Sequence, residues 1–538
     1  MRSANPDQAP PLDEIIGCLR TFPIDLLKIY PSSFCLRHGS LYGLIRTPEG
    51  KKMVVIGDKK DVLKDAFHGN CHHHTWSLKV CDLSAENTGC LMTLFPFTKP
   101  VSLRDYSMTI GTEDYLGLAT PGYIRAIKKF QVHPVLGQLS VAEIAQTGRD
   151  FAQVIQDTAW AVFQENYQGG YGADADHLNS VQEVKSALDA GVSMITLDLS
   201  EKINRGALEE SKERIERKFR EEIDEGDAEV LLHLFLNKEF LFAGPHGKFS
   251  IRFNEESVRR NSLLFYRALG FAEEVYELIR SRTGNRPLVD LEICLEGIPL
   301  LTSPENHLFF ALELSHRGVH IQFLAPRFIG AFEKGIDHSH GREAFCTQFY
   351  RHVLIAQDYG NYKISIHSDS DKFSLLSDIG KLSEGFLHLK TSGTSWLEAT
   401  RLIALTSPSL YKQMHQFALS IASEASRVYR MRTDLTGTPE LEDLPDQELP
   451  TLLDHDGIRQ LLHISYGHLL NAKNEAGTSL FRDQLYHTLT QFEEDYWSLV
   501  EKQTDKYLSG LGVKKELIER IERGIQNEQE KPDKDFDL

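Results

Sequence analysis

Tyr171-Gly172-Ala173-Asp174-Ala175-Asp176-His177 reads as a short strand that finishes in a carboxylate and an imidazole. Two later apolar runs end alike. Tyr362-Lys363-Ile364-Ser365-Ile366-His367 delivers a second histidine, and Val289-Asp290-Leu291-Glu292-Ile293-Cys294-Leu295-Glu296 delivers further acids. Successive strands that each end in a polar group are how a (β/α)8 barrel assembles a site at the C-terminal ends of its strands. The third run alternates, which puts Asp290, Glu292, Cys294 and Glu296 on one face. Burying carboxylates without partners is costly, so that face is expected to line a solvated pocket containing a cation, the alternative being an exposed edge.

Around these runs, strand-like and helix-like segments alternate from about residue 120 onward, the mark of a parallel sheet with helical crossovers. Strands are expected at 132–138, 173–177, 194–198, 288–296, 320–328, 362–367 and 386–390, with no eighth evident. A helix is expected over 149–165. Amphipathic helices over 208–227 and 255–282, with a hairpin near 244–251, make an insertion larger than a crossover needs. Residues 1–105 read as a separate mixed α+β unit or cap. Its short β runs at 40–45 and 52–57 are joined by the turn Thr47-Pro48-Glu49-Gly50, and a helix follows at 58–67. The expected architecture is α/β: a TIM-type (β/α)8 barrel over 106–500 with helical insertions, the N-terminal unit, and a C-terminal helix and charged tail over 501–538.

The bulk numbers agree. With 41% apolar and 25% charged residues the 538-residue chain is composed like an ordinary soluble protein. A formal charge of −18 argues against a nucleic-acid partner, because phosphate backbones are held by dense Lys/Arg surfaces. It still allows an anionic small substrate, since a few local cations can invert the field in one pocket. The seven cysteines contain no CxxC pair, which suits reduced thiols in the cytoplasm. Residues 1–11 lack the apolar core of a secretory signal. No run approaches the ~20 apolar residues that span a bilayer.

Among single residues, His177 is a good ligand for zinc, manganese, iron or nickel, and Asp176 beside it can ligate or act as a base. Asp198 is either a further acid or a helix cap. Cys71-His72-His73-His74 tempts a metal reading, but adjacent residues on an extended chain face opposite ways, so these are expected to be structural. Arg327, and Lys372 after His367, are cations able to meet an anionic group. His388-Leu389-Lys390-Thr391-Ser392-Gly393-Thr394-Ser395 ends a strand in a loop of the kind that presents N–H groups to anions. There is no GxxxxGK[ST], GxSxG or HExxH motif, so nucleotide hydrolase, esterase and zincin readings lack support.

Over about residues 110–500 the chain resembles the tagaturonate/fructuronate epimerase family, metal-dependent isomerases of hexuronate catabolism. The blocks that carry the resemblance are Gly111-Thr112-Glu113-Asp114-Tyr115-Leu116-Gly117-Leu118-Ala119-Thr120-Pro121-Gly122, Ala159-Trp160-Ala161-Val162-Phe163-Gln164-Glu165 and Gly172-Ala173-Asp174-Ala175-Asp176-His177. Arg327-Phe328-Ile329-Gly330, Glu333-Lys334-Gly335-Ile336-Asp337, the His367 strand, Lys390-Thr391-Ser392-Gly393-Thr394-Ser395 and Arg459-Gln460-Leu461-Leu462-His463-Ile464-Ser465-Tyr466-Gly467 follow in order. The resemblance implies a divalent metal (Mn, Zn, Ni or Fe) held by His177 and His367, with Glu333, Asp337 and His388 as candidates for a third ligand. It also implies Asp176 as proton acceptor and Glu292 as proton donor. Arg327, Lys372 and Arg459 are the candidates for the substrate carboxylate. One departure stands out. Where similar proteins run Asp-Glu-Thr and then Thr-Pro-Thr-Ser-Pro, this chain reads Glu296-Gly297-Ile298-Pro299-Leu300-Leu301-Thr302-Ser303-Pro304.

The implied reaction interconverts D-tagaturonate and D-fructuronate by inverting a carbon β to the ketone, whose hydrogen is not acidified directly. Retro-aldol cleavage, rotation of the aldehyde half and re-addition achieves this with a cation as Lewis acid. Two successive carbonyl shifts are the competing route. An isomerase or aldolase acting on another keto-sugar or sugar acid is the alternative, and a non-catalytic sugar-binding relative a third. The expected partner is a small sugar acid, with neither nucleic acid nor membrane, and the sequence is compatible with a homo-oligomer.

Overall fold

The computed structural model describes residues 10–284, 288–296, 301–330, 337, 341–367, 372–429, 434–441 and 444–516. An antiparallel sheet comes first in the chain: β1 (Lys28–Arg37), β2 (Ser40–Thr47), β3 (Gly50–Gly57), β4 (Asn70–His73) and β5 (Ser77–Asp82), in the order β1-β2-β3-β5-β4. The expected turn closes β2 onto β3, pairing Thr47 with Gly50. Alternation decides both faces of this sheet. Leu41, Ile45, Val54 and Ile56 pack with Ile15 and Leu19 of the first helix, Leu12–Leu19. Tyr42, Leu44, Met53 and Val55 join the main core instead, where Tyr42 meets Phe95 edge-on at 5.4 Å. His73 of the histidine cluster contacts Ser77 Oγ at 2.8 Å, a local structural role.

The second sheet is nine-stranded and parallel: β6 (Met108–Thr112), β7 (His133–Leu136), β8 (Leu139–Ser140), β9 (Asp174–Leu178), β10 (Met194–Asp198), β13 (Asp290–Cys294), β14 (Phe323–Ala325), β15 (Lys363–His367) and β16 (Leu387–Lys390). Strands β11 (Glu239–Gly244) and β12 (Gly247–Arg252) form a separate hairpin. The order is β7-β6-β16-β15-β14-β13-β10-β9-β8, and every pairing is parallel. The sheet curls, and β7 touches the residue two before β9, with Leu136 N donating to Gly172 O at 2.8 Å and Gly172 N to Pro134 O at 2.9 Å. Strands β6, β13 and β15 are buried along their whole length, as parallel strands covered on both faces must be.

All seven expected strands are present, and two of the nine were not foreseen: the two-residue β8, just beyond the expected 132–138 run, and β6. It was masked because its inward positions, Thr109 and Gly111, are polar or small where a strand signal needs bulk. The insertion is there too: helices Lys212–Glu222 and Glu225–Phe235, the β11–β12 hairpin, and the long helix Glu255–Thr283. Helices start where strands end because cap residues sit there. Ser140, Ser180 and Ser303 each close a capping box, and Pro304 takes the first helical turn after Ser303. Thr302-Ser303-Pro304 is therefore a helix-start device, with Thr302 Oγ1 also accepting from Arg327 N at 2.9 Å. Among the described residues no helix is long and apolar enough to cross a membrane.

Candidate active site

The C-terminal ends of the parallel strands surround a cavity of about 550 Å³ lined by Asp176, His177, Asp198, Glu296, His367 and Lys390, among others. Asp176 and His177 are neighbours in sequence yet both face it, and the backbone explains how. The β9–β10 register shifts between Ile195 and Leu197, so two residues of β9 oppose one of β10, and His177 takes φ +56°. Such a bulge re-aims a side chain that ordinary pleating would send outward. His177 Nδ1 then lies 3.0 Å from Asp176 Oδ2, leaving Nε2 facing Cys294 Sγ at 3.6 Å.

The alternating β13 run holds its acids on the inner face as expected, but in two groups. Asp290, at the far end, accepts from Ser102 Oγ at 2.5 Å and Leu103 N at 2.7 Å and pairs with Arg104. Glu292, fully buried, contacts His367 Nε2 at 2.6 Å and Lys390 Nζ at 3.1 Å. Its second oxygen, Oε2, has no partner among the described residues. Glu296 reaches His367 Nδ1 at 3.1 Å, so two carboxylates grip that imidazole.

Lys390 is the cation that makes this acid cluster tolerable. Its buried Nζ lies 2.8 Å from Asp174 Oδ2, 2.8 Å from Asp176 Oδ1 and 2.7 Å from Thr196 Oγ1, besides Glu292. Burial raises Asp174 to about 6 despite Lys390. Burial would raise Asp176 too, but His177 and Lys390 hold it well below the ordinary carboxylate range. Glu292 is likewise held down to about 2 by Lys390 and His367 against its burial. Burial disfavours charge on His177, yet Asp176 and Cys294 keep its proton affinity well above the usual value. The net result is a largely ionised set of groups, buried except for His177, at the wall of the cavity.

His177, Cys294 and His367 each offer one donor atom, and the three atoms lie within 4.8 Å of one another. Two imidazole nitrogens and a sulfur suit a zinc-like ion. The other candidates fall elsewhere. His388 sits one step below on β16, buried, with Nδ1 2.9 Å from Thr109 Oγ1 and its ring tilted against Phe323, and burial lowers it to about 3. Asp337 accepts from Ser374 N and Oγ, the latter at 2.8 Å. Glu333 and the altered residues 297–300 lie outside the described residues. Arg327 donates to the Glu296 carbonyl at 3.2 Å, Lys372 is buried at the start of helix Phe373–Leu382, and Arg459 lies on helix Asp456–Ile464. None of these three is among the described residues that line the cavity. Asp198 accepts from Ser200 N at 2.9 Å, the local turn role, while also lining the cavity. In the loop after β16 the N–H of Ser395 is already taken by a carboxyl of the chain's own, Glu113 Oε1 at 3.0 Å, which burial raises to about 8.

The sequence reading assigned no role to Asp174, Cys294, Glu296 or Lys390. A charge count would have found the lysine: inward acids on β9 and β13 require an inward cation, and Lys390 shares a strand face with His388.

Comparison with known proteins places this geometry in a family. The family model for UxaE, tagaturonate epimerase, matches residues 30–511. Tagaturonate/fructuronate epimerase of Thermotoga maritima is 33% identical over 481 residues, covering 89% of this chain and 96% of that protein. The native crystal structure of fructuronate-tagaturonate epimerase UxaE from Cohnella laeviribosi is 40% identical and superposes with a TM-score of 0.85, covering 93% of this chain and 99% of the other. A glycerol complex of the same Cohnella enzyme gives 39% identity and the same TM-score of 0.85. The chain belongs to the tagaturonate epimerase family of isomerase-class enzymes.

Proposed function

We propose that this chain interconverts D-tagaturonate and D-fructuronate with a divalent cation held by His177 and His367. The observation that carries the reading is convergence: Asp176, His177, His367 and Lys390 line one cavity, and the fully buried Glu292 contacts both His367 and Lys390. The curled sheet is taken as a closed barrel of the (β/α)8 type, supported by the hydrogen bonds of Gly172 to the β7 backbone. The cytoplasm is the proposed location, in keeping with seven free cysteines.

A bound divalent ion supplies Lewis acidity at the ketone oxygens. Asp176 takes the proton of the hydroxyl β to the ketone as the bond between the α and β carbons breaks, giving an aldehyde half and an enediolate half. The aldehyde half rotates, the bond reforms on its opposite face, and the new alkoxide takes a proton from Glu292. Asp176 is left protonated and Glu292 ionised, and the reverse reaction exchanges their roles. Lys390 holds both carboxylates at once, which fixes their spacing through the cycle. In the ligand-free chain Lys390 and His367 keep Glu292 ionised, so the donor role requires Glu292 to gain a proton when His367 turns from it to a cation, against the pull of Lys390, which stays beside it.

The test is an NMR time course with tagaturonate, comparing chelated protein with protein restored with manganese, zinc or nickel, and His177→Ala as control. Metal-dependent appearance of fructuronate, lost in the variant, is the expected result. In deuterated solvent the retro-aldol route leaves carbon-bound hydrogen unexchanged, whereas carbonyl shifts incorporate deuterium. Tight metal binding without conversion would redirect the site to another keto-sugar, with residues 297–300 as the cause.

A further inference from the structure

We infer that Cys294 is a metal ligand of this chain, so that its cation is held by a His-Cys-His set containing a thiolate and is chosen for affinity to sulfur. This deepens the proposed function and rests on its placement of a cation at His177 and His367. The sulfur lies at the end of β13, where alternation carries it inward two positions beyond Glu292. Three different strands, β9, β13 and β15, deliver the three donors. Bond lengths of about 2.3 Å to sulfur and 2.0–2.1 Å to nitrogen at tetrahedral angles put the two donor atoms roughly 3.5 Å apart. The observed separation of Cys294 Sγ from His177 Nε2 is 3.6 Å.

The surroundings are those of a ligand set already oriented. Asp176 on His177 Nδ1 leaves Nε2 turned toward the sulfur, the arrangement by which an outer carboxylate orients a metal-bound imidazole. Glu296 holds His367 Nδ1 at 3.1 Å, while His367 Nε2 rests on Glu292 at 2.6 Å and has to leave it to meet the ion. A thiolate favours zinc, cobalt, nickel or ferrous iron, whereas manganese and magnesium prefer oxygen donors.

The experiment titrates the chelated full-length protein with Co²⁺ alone, then with Zn²⁺ and Mn²⁺ in competition, for wild type, Cys294→Ser and Cys294→Ala. Wild type is expected to bind one Co²⁺ with an intense near-ultraviolet sulfur-to-cobalt charge-transfer absorption. Both variants should lose that absorption and bind Co²⁺ and Zn²⁺ at least about tenfold more weakly, with Mn²⁺ affinity nearly unchanged. Circular dichroism checks that both variants keep the fold, and two replacements of different polarity guard against a local packing effect. Cobalt binding without the absorption, its persistence in both variants, or no cobalt binding at all would overturn the inference. Failure of the two readings is distinguishable: turnover of tagaturonate without the absorption refutes the thiolate ligand alone, and the absorption without turnover refutes the epimerase reading alone.

Discussion

Replacing Lys390 by methionine keeps an unbranched side chain one atom shorter and removes the one charge shared by Asp174, Asp176 and Glu292. At 2.8–3.1 Å each contact is worth roughly 5–6 kcal/mol with an effective dielectric of about 20, before desolvation and carboxylate repulsion are set against it. What survives in measured cases is about 3–5 kcal/mol when one partner of a buried ion pair is removed. Part of that loss depends on pH, and its sign follows from Asp174, which burial already raises to about 6. A raised carboxylate binds a proton in the native chain that the unfolded chain has released, so stability falls as pH rises through that interval. Without Lys390 the interval extends upward, and the penalty must be larger at pH 8 than at pH 5. Urea unfolding followed by tryptophan fluorescence suits the measurement, because Trp396 is buried in the helix that follows β16. The double variant Lys390→Met/Asp174→Asn removes one of the stranded acids and should recover about 1–2 kcal/mol of the loss through a coupling between the sites. A single variant within 1 kcal/mol of wild type, a penalty independent of pH, or no coupling to Asp174 would refute this account of the cluster.

Three further outcomes follow from other parts of the fold. His307 and His352 share a 2.8 Å Nδ1–Nδ1 contact in the core, and burial lowers His352 to about 3; both are neutral when folded, so stability should fall as pH drops below about 6.5, and His352→Gln should flatten that limb of an unfolding profile. Glu493 accepts from Lys28 Nζ at 2.8 Å, Tyr30 OH at 2.9 Å and Arg46 Nη2 at 2.6 Å, fastening β1 and β2 to helix Glu493–Gly510; Glu493→Ala should cost about 3 kcal/mol and admit protease first within residues 28–57. A Cβ on Gly380 would meet Leu511 O at 2.0 Å, so Gly380→Ala should lower the urea midpoint by the equivalent of at least about 1 kcal/mol, although alanine is the better helix former.

What the sequence made legible was set by how each residue is used. The strand ends at His177, Glu292 and His367 could be read because apolar runs announce where a strand stops. The curled parallel sheet and the insertion followed from the same periodicities. Strand β6 escaped because its inner face, Thr109 and Gly111, has been made small: a Cβ on Gly111 would lie 1.8 Å from Gln138 Oε1, so bulk there would displace a residue of the cavity wall. The bulge at Asp176 and His177 was equally hidden. Alternation says that neighbours on a strand part company, and only a residue held at φ +56° brings both side chains to one cavity. Lys390 was legible in principle and missed in practice, because a lone lysine at a strand end looks like an ordinary surface charge until the acids facing it are counted. The same reasoning explains the other cations. Arg327, Lys372 and Arg459 were candidates for their charge and the resemblance, whereas the described residues that line the cavity and carry positive charge are His177, His367 and Lys390. Each of those three pairs with a carboxylate of the same cavity, so in the proposed reaction substrate recognition and proton movement share one network. A substitution anywhere in it must therefore change binding and proton transfer together.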